Sequence, residues 1–163
     1  NPSYFKGDMN PVERVSWEDV QVFIAKVRAR DGVVYRLTTE AQWEYAARGG
    51  ENYIYAGSNN PDEVGWHSGN SNGQTHPVKQ KKANGYGLYD MSGNVWEWCQ
   101  DWYEDHSTAA VVDPTGPSSG SFRVRRGGSW IEEFSWMRLT AREGSKPSTR
   151  YEIIGFRLIK SSQ

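Results

Sequence analysis

Apolar residues between positions 16 and 32 recur every three or four residues, which is the spacing of one face of a helix. The stripe comprises Trp17, Val20, Ile24 and Val27. Ser16 stands where an N-cap residue would, and Asp19, three residues later, can complete a capping box. The pattern predicts a helix that begins after Ser16 and ends at Asp31-Gly32.

A second helix is predicted shortly after the first, behind a short apolar strand at residues 34–37. Thr39 and Gln42 repeat the capping-box spacing. Trp43 opens an apolar face that Ala46 and Ala47 continue, and glycines at positions 49 and 50 supply the stop.

The rest of the chain lacks helical stripes. Residues 51–83 carry clusters of Asn, Gly and Ser and predict a long loop region, and residues 113–121 predict a flexible surface loop. Strand-like runs occupy residues 95–103, 122–130 and 153–158. Two helices with short antiparallel strands predict an α+β fold with little regular secondary structure.

Composition predicts one domain with an aromatic core. The chain has 163 residues, of which only 36% are hydrophobic, yet it contains eight tryptophans and nine tyrosines. Large rings rather than layers of aliphatic side chains must fill the interior, so we expect Trp96, Trp98 and Trp130 to be buried. No apolar run approaches the length of a membrane span, and none is expected.

The net charge of −1 conceals an uneven distribution. Residues 1–120 carry ten Lys and Arg against sixteen Asp and Glu, whereas residues 121–163 carry nine against four. Seven of these nine are Arg123, Arg125, Arg126, Arg138, Arg142, Arg150 and Arg157. Because these arginines alternate with aromatic residues and the rest of the chain is acidic, we expect them to pair inside the protein rather than to bind nucleic acid.

The segment 84–98 combines a glycine-rich polar turn with two tryptophans that flank a carboxylate. The carbonyl groups of Ser92, Gly93 and Val95 can turn toward one point. With the Glu97 carboxylate they would offer the all-oxygen coordination that calcium prefers. The alternative is a tight turn followed by a buried, hydrogen-bonded acid, and the spacing leaves both interpretations open.

Six segments, in this order, resemble the hallmark segments of the formylglycine-generating-enzyme family, also called the sulfatase-modifying-factor family. They are PVERVSWED (11–19), RLTTEAQWEYAARGG (36–50), GYGLYDM (85–91), GNVWEW (93–98), RGGSW (126–130) and GFR (155–157). The resemblance implies a C-type-lectin-like fold in one domain over residues 1–163, without the first strands usual in the family. It also implies a calcium site at Ser92, Gly93, Val95 and Glu97.

Enzymes of this family oxidise a substrate cysteine with a pair of active-site cysteines that hold copper, shortly after the segment that matches RGGSW. This chain contains one cysteine, Cys99, which lies outside that region. Without a thiolate pair there is no copper(I) site and no disulfide cycle, so we expect a non-catalytic branch without copper. A related iron-dependent branch uses three histidines, whereas His67, His76 and His106 are scattered through polar loops and are expected to be solvated.

The stretch 131–152, between the last two predicted strands, is the candidate binding site. It combines aromatic, hydroxyl and charged side chains, as adaptable binding surfaces do. The candidate residues are Glu132, Glu133, Phe134, Ser135, Trp136, Glu143, Ser145, Lys146, Thr149, Tyr151 and Glu152. The arrangement resembles the variable proteins of diversity-generating retroelements, which display a diversified C-terminal patch on the same fold. The alternative is an ordinary connecting loop.

The sequence therefore predicts a non-catalytic module that binds a protein or glycan ligand. Two other functions stay open. One is a formylglycine-generating oxidase or a pseudoenzyme derived from it. The other is a sensor domain of a larger protein, such as a kinase or a surface lipoprotein.

Overall fold

The computed structural model describes residues 1–105 and 111–160. Its described helices are α1 (Trp17–Asp31), α2 (Glu40–Arg48), α3 (Pro61–Val64) and a 3-10 helix (Phe134–Met137). Ser16 and Thr39 cap α1 and α2 in complete capping boxes, as predicted. Gly32 and Gly49 end these helices with left-handed φ angles of 69° and 61°. Both long helices are therefore confirmed.

Six short strands form two sheets in the described residues. They are β1 (Tyr35–Arg36), β2 (Trp96–Trp102), β3 (Arg123–Arg126), β4 (Arg142–Ser145), β5 (Ile154–Gly155) and β6 (Ile159–Lys160). The larger sheet has the order β4-β3-β2-β5, and β1 pairs with β6 in a separate antiparallel ribbon. The β2–β5 pair is parallel, and the other pairs of the larger sheet are antiparallel. The predicted α+β fold is confirmed, with one parallel pair that was not expected.

Strand β2 separates two hydrophobic clusters, because successive residues of a strand point to opposite faces. Trp96 and Trp98 pack on the face toward α1, in a cluster with Val20. Cys99 lies on the opposite face with Trp43 of α2. The central strand is thus covered on both sides, which explains why it is almost continuously buried.

The predicted aromatic core is confirmed. Trp96 and Trp98 are fully buried, and only 7% of Trp130 is exposed. The Trp98 Nε1 atom donates a hydrogen bond to the Val15 carbonyl at 2.9 Å. The Trp130 Nε1 atom donates to the Glu152 carbonyl at 3.1 Å. These indoles bury their rings and still satisfy their polar atoms.

Two predicted boundaries differ from the structure. The predicted loop 51–83 contains α3, a single turn that begins at Pro61 behind an Asn60 cap. The strand predicted at 122–130 ends at Arg126, because the two following glycines take φ angles of 100° and 72° and turn the chain. Such angles are accessible to glycine and interrupt a strand.

The C-terminal part also differs from the prediction. The stretch 131–152, expected to be a loop, contains the 3-10 helix and β4. The strand predicted at 153–158 is reduced to β5, and β6 follows it as the partner of β1. Within the described residues, no helix is both long enough and apolar enough to cross a membrane.

Candidate functional site

The stretch 131–152 rests on a frame of buried residues. Met137 and Leu139 lie within it and are 0% and 2% exposed. Just before them, the 3-10 helix carries Phe134 and Trp136 outward, with 50% and 43% of their surfaces exposed. Large exposed and large buried side chains therefore follow each other within a few residues. The buried side chains anchor this turn in the core, and the exposed rings project from it.

Gly128 sets the position of this turn. Its φ is 72°, and a Cβ atom here would come within 2.8 Å of the Trp136 carbonyl oxygen. The Ser92 hydroxyl donates a hydrogen bond to the Met137 carbonyl at 2.9 Å and thereby ties the 3-10 helix to the turn before β2. The glycine at this position is thus required both by the backbone angle and by the close contact.

Glu132 is half-buried and supports the surface from below. Its carboxylate accepts hydrogen bonds from Trp96 Nε1, at 2.9 Å, and from the Ser129 hydroxyl. Its carbonyl accepts the Ser68 amide at 2.9 Å. The neighbouring Glu133 is exposed. Glu132 is therefore fixed by the fold, whereas Glu133 is free to meet a ligand.

The second part of the stretch is carried by β4. Glu143 and Ser145 are half-buried there, and Lys146 is exposed. The Thr149 amide donates to the Lys146 carbonyl at 2.9 Å, which closes a turn after the strand. The predicted site residues thus include both exposed side chains and side chains that belong to the frame, and Ser135 is half-buried between them.

Arg125 links the two parts of the stretch. Its Nη2 atom donates to the Glu143 carboxylate at 2.8 Å. Its guanidinium lies over the Trp96 ring, 4.7 Å from the centroid, and that ring is 6.1 Å from the ring of Trp136. Glu143 therefore contacts this buried arginine directly, and Trp136 is connected to it through Trp96, although the two residues are separated in the sequence.

The N-terminal segment adds an aromatic residue that sequence reasoning missed. Tyr4 is 65% exposed and contacts Phe5 edge to face, with 4.9 Å between ring centroids. Phe5 in turn packs on Trp130 at 5.3 Å. Nearby, the Arg14 amide donates to the carbonyl of Tyr151, a residue 56% exposed. Because Tyr4 reaches this surface only through tertiary contacts, no local sequence signal could have revealed it.

Glu97 is held by protein groups on both oxygens. Its Oε1 atom accepts from Arg157 Nη2, and its Oε2 atom accepts from Arg157 Nε and Trp43 Nε1, each at 2.6 Å. A calcium ion at this carboxylate would sit against a guanidinium. In this arrangement the Glu97 carboxylate is therefore not available to a calcium ion.

The described residues also contain no group of three or more His, Cys, Asp or Glu side chains placed to hold a metal ion. Calcium binding at Ser92, Gly93, Val95 and Glu97 stays an untested interpretation. It would require Arg157 to release Glu97. In the observed geometry, Glu97 is the buried, hydrogen-bonded acid of the alternative interpretation.

Cys99 lies in the hydrophobic core, away from solvent. Its side chain is fully buried in the cluster of Trp43 and Val124. Burial raises the pKa of the Cys99 thiol well above its usual value. The single thiol of the chain is therefore neither accessible nor ionised near neutral pH.

The prediction that the histidines are solvated is wrong for two of them. His67 is 6% exposed, with its Nε2 atom 3.0 Å from a carboxylate oxygen of Asp62. His76 is half-buried and stacks on Trp66, with 3.7 Å between ring centroids. The polar local sequence concealed these contacts because the covering residues come from the fold. His106 lies outside the described residues.

A pocket of about 980 Å³ lies away from the candidate surface, between α2 and residues 111–117. Glu40, Glu44 and Asp101 line it. Arg142 binds the Glu40 carboxylate at 2.6 Å, and Asp101 accepts the Glu40 amide at 2.8 Å. These acids are thus engaged in holding α2 against the sheet, and the sequence did not single them out as a site.

The expected internal pairing of the C-terminal arginines is confirmed. Five of them form ion pairs with carboxylates, namely Arg125, Arg126, Arg142, Arg150 and Arg157. Arg123 is sandwiched between the rings of Trp17 and Trp102, at 3.8 and 3.5 Å. Most of the basic charge in the C-terminal third is therefore engaged within the protein.

Comparison with known proteins extends the resemblance over almost the whole chain. Residues 1–162 match the family described as the sulfatase-modifying factor enzyme 1-like domain. The formylglycine-generating enzyme of Streptomyces coelicolor is 36% identical over 169 residues, which cover 91% of this chain and 52% of the enzyme. The serine/threonine-protein kinase pkn1 of Chlamydia caviae is 35% identical over 164 residues, which cover 98% of this chain and 25% of the kinase. The chain therefore spans about half and about a quarter of the length of these two relatives.

A solved structure with a similar fold supports the family assignment. Treponema denticola variable protein 1 superposes with a TM-score of 0.92 at 33% sequence identity, covering 97% of this chain and 76% of that protein. The predicted fold class and family resemblance are both confirmed. The chain belongs to the sulfatase-modifying factor enzyme 1-like domain family.

Proposed function

We propose that this chain is a non-catalytic binding module that recognises a protein partner through one surface, called here the display surface. The display surface consists of the exposed candidate residues of the stretch 131–152 together with one N-terminal residue. These are Glu133, Phe134, Trp136, Lys146, Tyr151, Glu152 and Tyr4. The observation that carries the proposal is the exposure of Phe134 and Trp136 directly beside the fully buried Met137.

Large aromatic rings that stay exposed to water are energetically unfavourable. A soluble domain loses favourable burial when it leaves several large aromatic side chains in water, so neighbouring exposed rings on a rigid base mark interaction surfaces. Interface energy also concentrates in a few aromatic or arginine residues. Phe134, Trp136 and Tyr151 have this character, and the buried frame limits the entropy lost when they bind.

A protein partner suits the display surface better than a glycan. The aromatic residues are accompanied by charged residues of both signs, because Glu133 and Glu152 are acidic and Lys146 is basic. Aromatic anchors among mixed charges are typical of surfaces that contact proteins. Glycan binding is an outcome that the experiment below can report.

The name of the structural relative, Treponema denticola variable protein 1, describes that protein as variable. As part of the proposal, we extend this variability to residues 131–152 of the present chain. If the chain belongs to a diversity-generating retroelement, a reverse transcriptase gene and a near-copy of the codons for residues 131–152 should lie beside its gene. A genomic neighbourhood without these elements would remove the retroelement part of the proposal and leave the binding part standing.

Site-specific photo-crosslinking tests the binding proposal. p-Benzoylphenylalanine is placed at Phe134 in one protein and at Tyr45 in a control, because Tyr45 is 68% exposed and lies outside the display surface. We expect a discrete protein adduct from position 134 that disappears with the additional change Trp136→Ser. Equal adducts from both positions, or an adduct insensitive to Trp136→Ser, would contradict the proposal. Binding to a glycan array that depends on Trp136 would instead identify a glycan ligand.

The enzymatic alternative has a direct test. The family includes formylglycine-generating enzymes, and the Streptomyces coelicolor relative carries that name. Cys99 is the only cysteine in the sequence and its side chain is buried, which argues against this activity. Incubation with copper and a cysteine-containing sulfatase peptide should give no aldehyde product. Turnover that is abolished by Cys99→Ser would establish an enzyme.

A further inference from the structure

Arg125 is the least satisfied of the buried charged side chains near the display surface. Its side chain is 10% exposed, yet among the described residues two of its three nitrogens, Nε and Nη1, have neither a hydrogen-bond partner nor contact with solvent. Within the same part of the chain, its guanidinium makes one hydrogen bond, from Nη2 to Glu143. A guanidinium has five N–H donors, and leaving several of them unpaired in a buried site is unfavourable.

The adjacent Arg126 shows what a fully structural arginine looks like in this fold. Its Nη1 atom donates to the Ala141 carbonyl, and its Nη2 atom donates to Glu44 and to the Leu139 carbonyl. Its Nε atom makes no hydrogen bond among the described residues but lies 3.5 Å from a carboxylate oxygen of Glu40. Arg126 therefore has acceptors near all three nitrogens, whereas both Nε and Nη1 of Arg125 lack a hydrogen-bond partner among these residues.

The surroundings of Arg125 connect it to the display surface through Trp96. The guanidinium lies on the Trp96 ring, whose neighbour Trp136 is 43% exposed. Among the described residues, Glu143 is the carboxylate that pairs with Arg125, and its side chain is 42% exposed and can therefore rotate into solvent. Rotation of Glu143 would free the Nη2 donor of Arg125, which lies in the same planar guanidinium as the two nitrogens without a partner.

The geometry points to Arg125 as the carboxylate-binding residue of the display surface, with Glu143 as an internal carboxylate that the ligand replaces. This inference rests on the proposed function. The planar guanidinium forms two parallel hydrogen bonds with a carboxylate, and its stacking on an aromatic ring fixes its orientation. The ligand is then a peptide segment that presents a carboxylate next to an aromatic or apolar residue. The carboxylate can come from an acidic side chain or from a C-terminus.

Three short peptides separate these possibilities. The probes are acetyl-Gly-Trp-Gly with a free C-terminal carboxylate, the same peptide as its amide, and acetyl-Asp-Trp-Gly amide. Binding is followed by NMR through the Nε–H signal of Arg125. We expect at least one acidic peptide to bind about tenfold more tightly than the neutral amide, which corresponds to one charge-assisted hydrogen bond of ordinary strength. The preferred acidic peptide identifies the source of the carboxylate.

Variants test the exchange with Glu143. Glu143→Gln removes the internal competitor and should tighten binding of the acidic peptide, while Glu104→Gln is the control because Glu104 is an exposed carboxylate outside the display surface. Arg125→Gln should abolish the preference for acid over amide. If that variant does not fold, the comparison of Glu143→Gln with Glu104→Gln still decides the question.

The outcomes separate this inference from the proposed function. Equal binding of all three peptides that is lost in Trp136→Ser would overturn the role of Arg125 and retain the display surface. Equal effects of Glu143→Gln and Glu104→Gln would also overturn it. Binding that is insensitive to Trp136→Ser, or no binding of any peptide at millimolar concentration, would overturn the inference. Whether the proposed function fails as well is then decided by crosslinking from position 134.

Discussion

Arg125 and Arg126 are neighbours in the sequence, and the structure gives them opposite surroundings. Strand geometry sends one side chain to the face of Trp96 and the other to the face of Trp43. The sequence indicated that these arginines form internal pairs, which is confirmed. That the two side chains point to opposite faces follows from the geometry of a strand. The number of hydrogen-bond acceptors around each guanidinium, however, depends on residues from α2 and β4. The sequence alone therefore could not show which arginine has more of its donors paired.

Removal of the Arg126 side chain should strongly destabilise the fold. Arg126→Ala removes the buried guanidinium that pairs with Glu40 and Glu44 and leaves the Ala141 and Leu139 carbonyls without their donor. Loss of one member of a buried ion pair typically costs about 3–5 kcal/mol. Arg150→Ala is the matched control, because Arg150 also pairs with a carboxylate, Asp19, but both side chains are well exposed. Urea denaturation should show a much larger loss for Arg126→Ala. Similar losses in the two variants would contradict this assignment.

The Glu97 pair makes a prediction about calcium. Because Arg157 already occupies the Glu97 carboxylate, a chelator should leave the melting temperature unchanged, and added calcium should not raise it. Differential scanning calorimetry with and without chelator measures this directly. A melting temperature that falls with chelator and recovers with calcium would show that Arg157 moves aside and that the residues 92–97 bind the cation. Stabilisation by a ligand at a hundredfold excess over its Kd would amount to about 2.7 kcal/mol.

At the scale of elements, the predictions succeeded where the signals were local. Helices α1 and α2 were identified by their caps and glycine stops, which act within a few residues. Strand β4, with the sequence REGS, has no alternation of apolar residues and exists because it pairs with β3. Its position in the candidate site was therefore predictable only as part of the stretch 131–152, and not as the edge of a sheet.

The turn at Gly128 provides a test of how the 3-10 helix is positioned. Gly128→Ala combines a left-handed backbone angle with a Cβ contact of 2.8 Å to the Trp136 carbonyl. Gly73→Ala is the control, since Gly73 has a φ of 73° but no atom within 4 Å of the new Cβ. The control should lose about 1 kcal/mol from backbone strain alone. Gly128→Ala should lose more and should also shift the fluorescence of Trp136. Equal losses of stability would show that the close contact relaxes freely.

At the scale of the whole molecule, the fold separates support from display. Buried aromatic residues and ion pairs hold β2 and β3 between α1 and α2, and the side chains of the display surface lie outside this network. The same separation explains the limits of sequence reasoning. Exposed aromatic residues such as Phe134 were predictable from their chemically mixed neighbours, whereas the supporting role of Glu132 depends on its contact with Trp96.

The central claim is that the display surface binds a partner while the frame alone maintains the fold. Simultaneous replacement of Glu133, Phe134, Trp136, Lys146, Tyr151 and Glu152 by serine tests it most directly. Exposed substitutions away from caps and buried networks usually change stability by about 0.5 kcal/mol or less each, so cooperative thermal unfolding should persist. Quantitative binding to the partner identified by crosslinking is measured on the same sample. The account predicts a folded protein that no longer binds, and a folded protein that binds as before would contradict it.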